Sequence, residues 1–364
     1  MINPQLLKVF YLIGMLTLSA CQSPTKKLDY QVTHFEALPG WQNDETVKAF
    51  PAIQRSCEAI LKECPAKTYF TRAGEQKGSA LDWYPFCQAV KAYSVTAPPT
   101  ETDWRRLLTT YLVPYKLSLD GVSKGQFTGY YEPLLHGSKK RCGPYQIPLY
   151  RLPMNPSINI NIPRSQIVSG ALANKGLELV WVDSPVDAFF LQIQGSGRVM
   201  LDDGTVLRLG YAGTNKHPYF PIGKTLVSRG NLKLNEVSMQ SIRAWLKAHP
   251  LEAESVMSEN QSYVFFRILE GDGPIGSQGV ALTPKRSLAV DPGYISLGTP
   301  MWVDLAHPND KNKRLQHLIM AQDTGGAIKG GLRGDYFWGY GDLPAEYAGR
   351  MNSEGESYVL LPKV

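Results

Sequence analysis

The chain has 364 residues with 43% hydrophobic and 19% charged side chains, a balance that supplies a packed core and excludes a fibrous or disordered protein. At roughly 150 residues per domain the length predicts about two domains, and the absence of a second long apolar run argues against a polytopic membrane protein. The net charge of +6, from 38 lysines and arginines against 32 aspartates and glutamates, is too mild and too evenly spread to indicate nucleic-acid binding.

The N-terminus carries the pattern of an export signal. One positive side chain, Lys8, precedes a short apolar run that cannot span a bilayer as a mature helix. Small residues then precede Cys21, which resembles the bacterial lipoprotein box and predicts an acylated cysteine after removal of residues 1–20. Gln22 in place of aspartate favours, by resemblance to enterobacterial sorting rules, the periplasmic face of the outer membrane. The alternative is a plain signal peptide with a chance cysteine, and the polar residues 21–44 are interpreted as a tether.

Lipidation of one cysteine leaves Cys57, Cys64, Cys87 and Cys142 in an oxidising compartment, where two disulfides are expected. Apolar residues recur at helical spacing over residues 50–64. Such a helix would place Cys57 and Cys64 about 10 Å apart along its axis, beyond the reach of a disulfide. Two connectivities remain, and the pairs Cys57 with Cys87 and Cys64 with Cys142 are favoured.

Residues 45 to about 117 are predicted to be largely helical. An apolar stripe between Trp104 and Leu112 has helical spacing and follows Thr102 and Asp103, two candidate N-caps. Beyond this region the sequence changes to short β-branched and aromatic runs punctuated by glycine and proline, a pattern typical of β-barrels and sandwiches. The predicted fold class is therefore mainly β with N-terminal helices.

A strand is predicted over residues 188–194 within this β region. Alternation puts Leu191 and Ile193 on one face and Gln192 and Gln194 on the other. Neighbouring amides on an exposed face are suited to hydrogen-bond a polyhydroxyl ligand. A merely solvated face is the alternative.

A hairpin, a helix and a connecting segment complete the β region. Residues 198–201 and 206–209 flank an Asp-Asp-Gly turn and are predicted to pair as a hairpin. Ser238 is a candidate cap of a helix that ends near His249. The segment 272–278 is rich in glycine and proline and is predicted to connect two domains.

The residues that could carry chemistry lie near the C-terminus. Carboxylates recur there in glycine-rich settings at Asp291, Asp323 and Asp335. Asp323 follows an apolar run and precedes Thr-Gly-Gly, which places it at a strand end where backbone amides can approach a ligand. The alternative, that such aspartates only cap turns, is weakened by the recurrence and by Lys329 and aromatic residues nearby. None of the six histidines has metal-ligand spacing with another, so no metal or cofactor is expected.

The glycine-rich carboxylate segments resemble the three-aspartate domain, a double-psi β-barrel. Those segments are 291–293, 297–299, 323–330 and 334–335. Upstream segments extend the resemblance, and these are 127–133, 192–197 and 211–213. Together the motifs are similar to those of the membrane-bound lytic murein transglycosylase A family, over roughly residues 120–362.

The resemblance implies a barrel domain that is split in sequence. Residues 45–133 and 270–364 would form the double-psi β-barrel with its N-terminal helices, and residues 134–269 would form an inserted β-rich substrate-binding domain. The glycan would lie in the groove between them. The implied partners are peptidoglycan strands, a membrane through the lipid anchor, and candidate proteins of cell-wall synthesis or of the divisome.

The resemblance also assigns roles to individual residues. Asp335 would be the catalytic acid and base, and Asp323 a neighbouring carboxylate in the site. Polarity and family motif together predict sugar contacts from Thr128, Tyr130, Gln192, Gln194, Ser196 and Lys329.

A single aspartate suffices for lytic cleavage of peptidoglycan, because the C6 hydroxyl of N-acetylmuramic acid is the nucleophile and the product is a 1,6-anhydro end. For that role Asp335 must start protonated, although the unperturbed pKa of an aspartate is about 3.9. Burial beside Tyr336 and Phe337, or the charge of Asp323, would raise the pKa. Two alternatives stay open, namely a non-catalytic expansin-like wall-binding protein and a hydrolase with a water-activating base opposite Asp335.

Overall fold

The computed structural model describes residues 28–64, 68–70, 76–271 and 273–363 of the chain. The predicted export signal and Cys21 lie outside these residues. None of the helices within the described ranges has both the length and the apolar character required of a membrane span.

The helices lie before the long strands, in the middle of the chain and near its end. Their bounds are α1 Phe50–Ile60, α2 Ala80–Lys91, α3 Glu101–Tyr111, α4 Arg164–Gln166, α5 Pro185–Gln194, α6 Gly223–Ser228, α7 Met239–Ala248, α8 Pro250–Ser258 and α9 Asp342–Arg350. The strands are β1 Leu28–Val32, β2 Thr68–Phe70, β3 Gln76–Ser79, β4 Leu112–Leu119, β5 Lys124–Glu132, β6 Leu134–Ser138, β7 Ile147–Tyr150, β8 Glu178–Val182, β9 Ser196–Leu201, β10 Val206–Thr214, β11 Val264–Ile268, β12 Ser287–Val290, β13 Pro300–His307, β14 Asp310–Asp323, β15 Arg333–Tyr340 and β16 Asn352–Pro362. The fold is mainly β with helices packed against the sheets, as the sequence predicted.

Within the described ranges, six strands close into a ring in the order β16, β13, β14, β12, β15 and β5, because β5 pairs with both β15 and β16. The pairs β12 with β14 and β15 with β5 are parallel, and the other pairs of the ring are antiparallel. Each strand sends apolar side chains into the interior, among them Phe127, Leu288, Val303, Ile319, Trp338 and Val359. Burial of these side chains is the main force that holds the ring together.

A second sheet comes entirely from the middle of the chain, in the order β11, β10, β9, β6, β8 and β7. Its buried face packs against α5 through Leu149, Val180, Leu191, Val199 and Phe266. All of its strands lie between residues 134 and 268, whereas the ring strands lie before and after that range. The chain therefore leaves the ring, forms a second β-rich core and returns.

Helices α1, α2 and α3 pack against the outer face of the ring. Phe50 and Trp104 make an edge-to-face contact with 5.4 Å between ring centroids, and Trp302 of β13 belongs to the same buried cluster. Such contacts between large aromatic side chains add to the stabilisation from buried apolar area. The N-terminal helices therefore form a second hydrophobic core with the outer face of the ring.

The cysteines confirm one predicted disulfide and correct the other. Cys57 and Cys87 form a disulfide that joins α1 to α2, with 4.9 Å between their Cα atoms. The predicted bond between Cys64 and Cys142 is wrong, because both are free and exposed. Helix α1 ends at Ile60, so Cys64 lies beyond it, whereas Cys142 lies in the turn between β6 and β7 of the second sheet.

Residues 28–44 pack on the ring, so the predicted tether over residues 21–44 is wrong for this part. Strand β1 pairs with β4, and Trp41 is buried against the outer face of the ring. The Asp44 carboxylate accepts two hydrogen bonds of 2.7 Å from the Arg286 guanidinium, and both side chains are buried. Leu28, Tyr30 and Val32 alternate with polar residues at the strand period of two, and this short pattern is the signal that indicates β1.

The predicted strand over residues 188–194 is also wrong, because Pro185–Gln194 is helix α5. The Ser184 hydroxyl caps it by accepting a hydrogen bond of 3.1 Å from the Asp187 amide, and a proline occupies the first turn. Gly195 ends the helix in the left-handed conformation, with φ of 78°. A short apolar run fits a strand or a buried helix, and these capping residues decide between them.

Other predicted elements are confirmed. Strands β9 and β10 pair as the predicted hairpin. Helix α7 begins after Ser238, whose hydroxyl accepts a hydrogen bond of 3.1 Å from the Ser241 amide. Helix α3 is present, but its cap is Thr100 rather than Thr102, and the Thr100 hydroxyl accepts a hydrogen bond of 3.1 Å from the Asp103 amide.

Candidate active site

Three candidate residues lie in one row across neighbouring strands of the ring. The register sets Asp323 of β14 and Asp335 of β15 opposite the same residue, Ala289 of β12. Thr128 of β5 lies opposite Asp335 on the other side. Residues directly opposite one another project from the same face of a sheet. The two carboxyl groups therefore flank the small methyl group of Ala289.

This row faces away from the interior of the ring. Alternate residues of β15 point to opposite sides, and Tyr336 is fully buried in the interior cluster. Phe337 instead packs with Tyr130 and Ala289 on the outer side, with 5.1 Å between the ring centroids of Tyr130 and Phe337. The expectation that Tyr336 lies beside Asp335 is therefore wrong, whereas Phe337 shares the face of Asp335.

The Asp335 carboxyl group is half-buried and hydrogen-bonded on one side. Thr128 Oγ1 donates to Asp335 Oδ1 at 2.6 Å, and Arg333 Nη2 donates to Thr128 Oγ1 at 2.8 Å. Because arginine has no acceptor atom, the single hydroxyl hydrogen of Thr128 is committed to Asp335. When Asp335 is protonated, its proton therefore lies on Oδ2.

Burial raises the pKa of Asp335 to about 6. The Thr128 hydrogen bond and the positive charge of Arg333 act against this rise, and the negative charge of Asp323 adds to it. A carboxyl group with this pKa can both give and take a proton near neutral pH.

The Asp323 carboxyl group has a different environment. Its Oδ1 accepts hydrogen bonds of 2.9 Å from the Ser277 amide, the Ser277 hydroxyl and the Thr324 amide, and its Oδ2 accepts one of 3.1 Å from the Tyr130 hydroxyl. Burial raises the pKa of Asp323, and these four donors act against the rise. Burial, followed by the charges of Asp323 and Asp335, raises the pKa of Tyr130 well above its ordinary range, so Tyr130 remains a donor. Four donors favour the ionised form of Asp323.

A loop of the second sheet carries a tyrosine into the electrostatic range of Asp335. Tyr219 follows β10, and 42% of its side chain is exposed. Burial around its hydroxyl, and then the negative charge of Asp335, raise the pKa of Tyr219. The base of the loop is fixed by Asn215, whose buried Nδ2 donates hydrogen bonds of 2.8 Å to the carbonyl oxygens of Ile162 and Gln261. Tyr219 is thus close enough to Asp335 for the charge of that carboxyl group to act on its hydroxyl.

The two glutamines predicted to contact sugar are engaged in protein contacts. Gln192 is buried, and its Oε1 accepts a hydrogen bond of 2.8 Å from Arg164 Nη2. Gln194 Oε1 accepts a hydrogen bond of 2.9 Å from the Tyr131 amide and so ties α5 to β5. Gln192 thus stabilises the second sheet and its helix internally, whereas Gln194 joins that helix to the ring.

The other predicted contacts lie in separate places. Ser196 is buried at the start of β9, and Lys329 is exposed in the loop between β14 and β15. That loop is fixed by Asp291, whose Oδ1 accepts a hydrogen bond from the Gly293 amide at 3.0 Å and whose Oδ2 accepts one from the Gly330 amide at 2.9 Å. Of the predicted contacts, Thr128 and Tyr130 are the two that hydrogen-bond a carboxyl group of the row.

Arg333, Ser277 and Tyr219 are candidate functional residues that the sequence did not indicate. Arg333 precedes Asp335 by two residues, so strand alternation alone puts both on one face. Ser277 and Tyr219 carry no comparable signal, because only tertiary contacts bring them to the site. Among the described residues, no group of three or more His, Cys, Asp or Glu side chains is arranged to hold a metal ion.

Two family models match the chain. The model of the MltA specific insert domain matches residues 126–267, and the model of the 3D domain matches residues 286–361. The first match covers most of β5 and nearly all of the second sheet, and the second covers the ring strands that carry Asp323 and Asp335.

Curated relatives and solved structures agree with these models. The membrane-bound lytic murein transglycosylase A of Escherichia coli (strain K12) is 37% identical over 247 residues, which are 66% of this chain and 67% of the relative. The structure of a membrane-bound lytic murein transglycosylase from Agrobacterium tumefaciens is 33% identical with a TM-score of 0.80 and covers 92% of this chain and 98% of that one. The structure of E. coli MltA with bound chitohexaose is 28% identical with a TM-score of 0.69 and covers 86% of this chain and 90% of that one.

Proposed function

Since the chain belongs to the membrane-bound lytic murein transglycosylase A family and is a peptidoglycan lytic transglycosylase, we propose the bond that it cleaves and the product that it leaves. It cleaves the bond between N-acetylmuramic acid and N-acetylglucosamine and leaves 1,6-anhydro-N-acetylmuramic acid ends. The observation that carries this proposal is the unequal environment of the two carboxyl groups. Asp323 accepts four hydrogen bonds, whereas Asp335 has its Oδ1 bound to Thr128 and a pKa of about 6.

Asp335 acts first as the acid. The proton on its Oδ2 passes to the glycosidic oxygen, and the bond from that oxygen to C1 of the muramic acid ring breaks. N-Acetylglucosamine then leaves with a new hydroxyl group. Positive charge develops on the muramic acid ring, and the ionised Asp323, two strands away in the same row, stabilises it.

Asp335 acts next as the base. Its carboxylate takes the proton of the C6 hydroxyl while the C6 oxygen bonds to C1, which closes the 1,6-anhydro ring. Because this hydroxyl is already part of the reacting sugar, proximity replaces a second base and a positioned water molecule. Asp335 ends the cycle protonated and ready for the next bond.

The glycan is proposed to lie between the ring and the second sheet. We assign residues 45–133 and 270–364, with residues 28–44 packed on them, to a double-psi β-barrel domain and residues 134–269 to an inserted substrate-binding domain. The closed ring with parallel pairs β12–β14 and β15–β5 supports the first assignment, and the approach of Tyr219 to Asp335 supports the second. A solved structure of E. coli MltA holds chitohexaose, which supports an oligosaccharide as the ligand of this chain.

Anchoring through a lipid on Cys21 is part of the proposal. The relatives are described as membrane-bound, and the residues before Cys21 resemble a lipoprotein box. The site would then face peptidoglycan from the periplasmic side of the outer membrane, with proteins of cell-wall synthesis or of the divisome as candidate partners.

Product analysis tests the reaction. Full-length protein in detergent is incubated with purified sacculi, and the released fragments are identified by mass spectrometry. Anhydro ends are expected because no water enters the bond-forming step. Reducing ends would identify a hydrolase, and binding without release of fragments would identify an expansin-like protein.

A further inference from the structure

Ser277 lies in the segment that connects the two sheets, between β11 and β12. Its amide and its hydroxyl both donate to Asp323 Oδ1, at 2.9 Å each. The Ser277 hydroxyl also lies 2.7 Å from the Thr324 hydroxyl. Because Ser277 has one hydroxyl hydrogen and gives it to Asp323, Thr324 must donate to Ser277. A chain of two hydroxyl groups therefore ends on the carboxylate.

The backbone on both sides of Ser277 is fixed. The Gly276 amide donates to the Val280 carbonyl oxygen at 2.9 Å, and the Gln278 amide donates to the Gln322 carbonyl oxygen at 3.0 Å. A Cβ atom at Gly276 would lie 2.5 Å from the Gln322 carbonyl oxygen, so the segment lies close against β14. The Ser277 side chain is nevertheless exposed, so its hydroxyl can be changed without opening a cavity in the core.

We propose that Ser277 is a positioning residue of the reaction, which holds the Asp323 carboxylate in its ionised form and in a fixed orientation while charge develops on the sugar ring. This inference rests on the proposed function, because it acts through the stabilising role of Asp323. The connecting segment between the two sheets thereby contributes directly to the site.

The hydroxyl of Ser277 matters because burial and hydrogen bonds act in opposite directions on the pKa of Asp323. Burial favours the neutral acid, and the donors from Ser277, Thr324 and Tyr130 favour the carboxylate. Hydrogen bonds to ionised groups are among the stronger ones in proteins, and loss of one corresponds to roughly a tenfold change in an equilibrium or a rate. The amide of Ser277 would still donate after loss of the hydroxyl, so a partial effect is expected.

The test compares S277A, S277T and the control S157A in full-length protein on soluble peptidoglycan glycan strands. Ser157 is also exposed, but it lies in the loop between β7 of the second sheet and α4. For S277A we expect kcat to fall about tenfold with KM unchanged. The acidic limb of the kcat–pH profile should move to higher pH, because loss of a donor raises the pKa of Asp323 and the reaction needs its ionised form. S277T keeps the hydroxyl and should restore both.

Three outcomes would overturn the inference. The first is that S277A has the same kcat as the control S157A and the same acidic limb of the kcat–pH profile. The second is a rise in KM at constant kcat, which would mean that Ser277 contacts the glycan rather than orienting Asp323. The third is an S277T protein as impaired as S277A, which would assign the loss to the backbone. The proposed function is tested separately by the product analysis, which does not depend on Ser277.

Discussion

The Thr128 hydroxyl donates a hydrogen bond of 2.6 Å to Oδ1 of Asp335, across the parallel pair β5 and β15. Arg333 fixes the direction of this bond, because its guanidinium already donates to Thr128 Oγ1. Thr128 is predicted from the sequence to contact sugar, but this geometry favours a role in orienting the acid. The bond places the acidic proton on Oδ2 and lowers the pKa of Asp335 from the value that burial alone would give.

Replacement of Thr128 by valine tests that role. T128V removes the donor that favours the ionised form, so the pKa of Asp335 should rise above about 6, and the alkaline limb of the activity–pH profile should move up. A shift of about one pH unit corresponds to one hydrogen bond to a charged group. T128S keeps the hydroxyl and should keep the profile. A shift to lower pH in T128V would mean that Thr128 favours the neutral acid instead.

Asp335 is expected to be indispensable for bond cleavage. The isosteric D335N protein should fold with an unchanged Tm yet release anhydro-muropeptides at least a hundredfold more slowly, because a positioned acid–base group contributes about 10² to 10⁴ in rate. D202N, in the exposed turn between β9 and β10, is the matched control and should keep full activity. Residual activity of D335N near that of D202N would move the acid to another residue, Asp323 first.

Replacement of Asp323 by asparagine should shift the alkaline limb of the activity–pH profile in the direction opposite to that expected for T128V. In D323N the negative charge that raises the pKa of Asp335 is absent, so the alkaline limb should move to lower pH. The same change removes the charge that stabilises the sugar ring, so kcat should fall. The pH profiles of D323N and T128V, measured side by side, give the check. If the alkaline limb of D323N coincides with that of the unchanged protein, the charge of Asp323 does not affect the pKa of Asp335.

Several candidate residues that the motifs singled out lie together in the structure. Asp323 follows an apolar run and is predicted at a strand end, and it is the last residue of β14. Asp335 lies on β15, and both β14 and β15 pair with β12. Thr128 and Tyr130 share one face of their own strand by alternation, and both hydrogen-bond a carboxyl group. The family motif and polarity singled out these residues, and their roles in the reaction stay predictions.

Features that depend on contacts between distant parts of the chain could not be predicted from the local sequence pattern. Thr128 and Asp335 are 207 residues apart in the chain, and only the parallel pairing of β5 with β15 sets their register. Ser277 meets Asp323 from a segment that is merely rich in glycine and proline. The helix that carries Gln192 was predicted as a strand because its apolar run is short and fits both structures. The capping residues Ser184 and Gly195 at the two ends of the segment indicate a helix, which the periodicity alone does not.

The disulfide of the N-terminal helices should stabilise the fold. Cys57 and Cys87 are 30 residues apart, and closure of a loop of that length is worth about 3.6 kcal/mol of unfolding free energy. The double variant C57A/C87A should lower the urea midpoint accordingly. C64S and C142S should leave the midpoint unchanged, because both thiols are free and exposed. Alkylation of the native protein followed by peptide mass spectrometry should modify Cys64 and Cys142 and spare the other pair.

The buried ion pair between Asp44 and Arg286 should make residues 28–44 part of the cooperative fold. Loss of the Asp44 charge in D44N leaves the Arg286 guanidinium buried without a counter-charge, which costs about 3 to 5 kcal/mol for a buried pair. The control E354Q removes one partner of the exposed pair with Lys124 and should cost less than about 1 kcal/mol. Urea unfolding of both variants, followed by tryptophan fluorescence, measures the difference. Equal midpoints for D44N and E354Q would mean that this segment does not fold together with the ring.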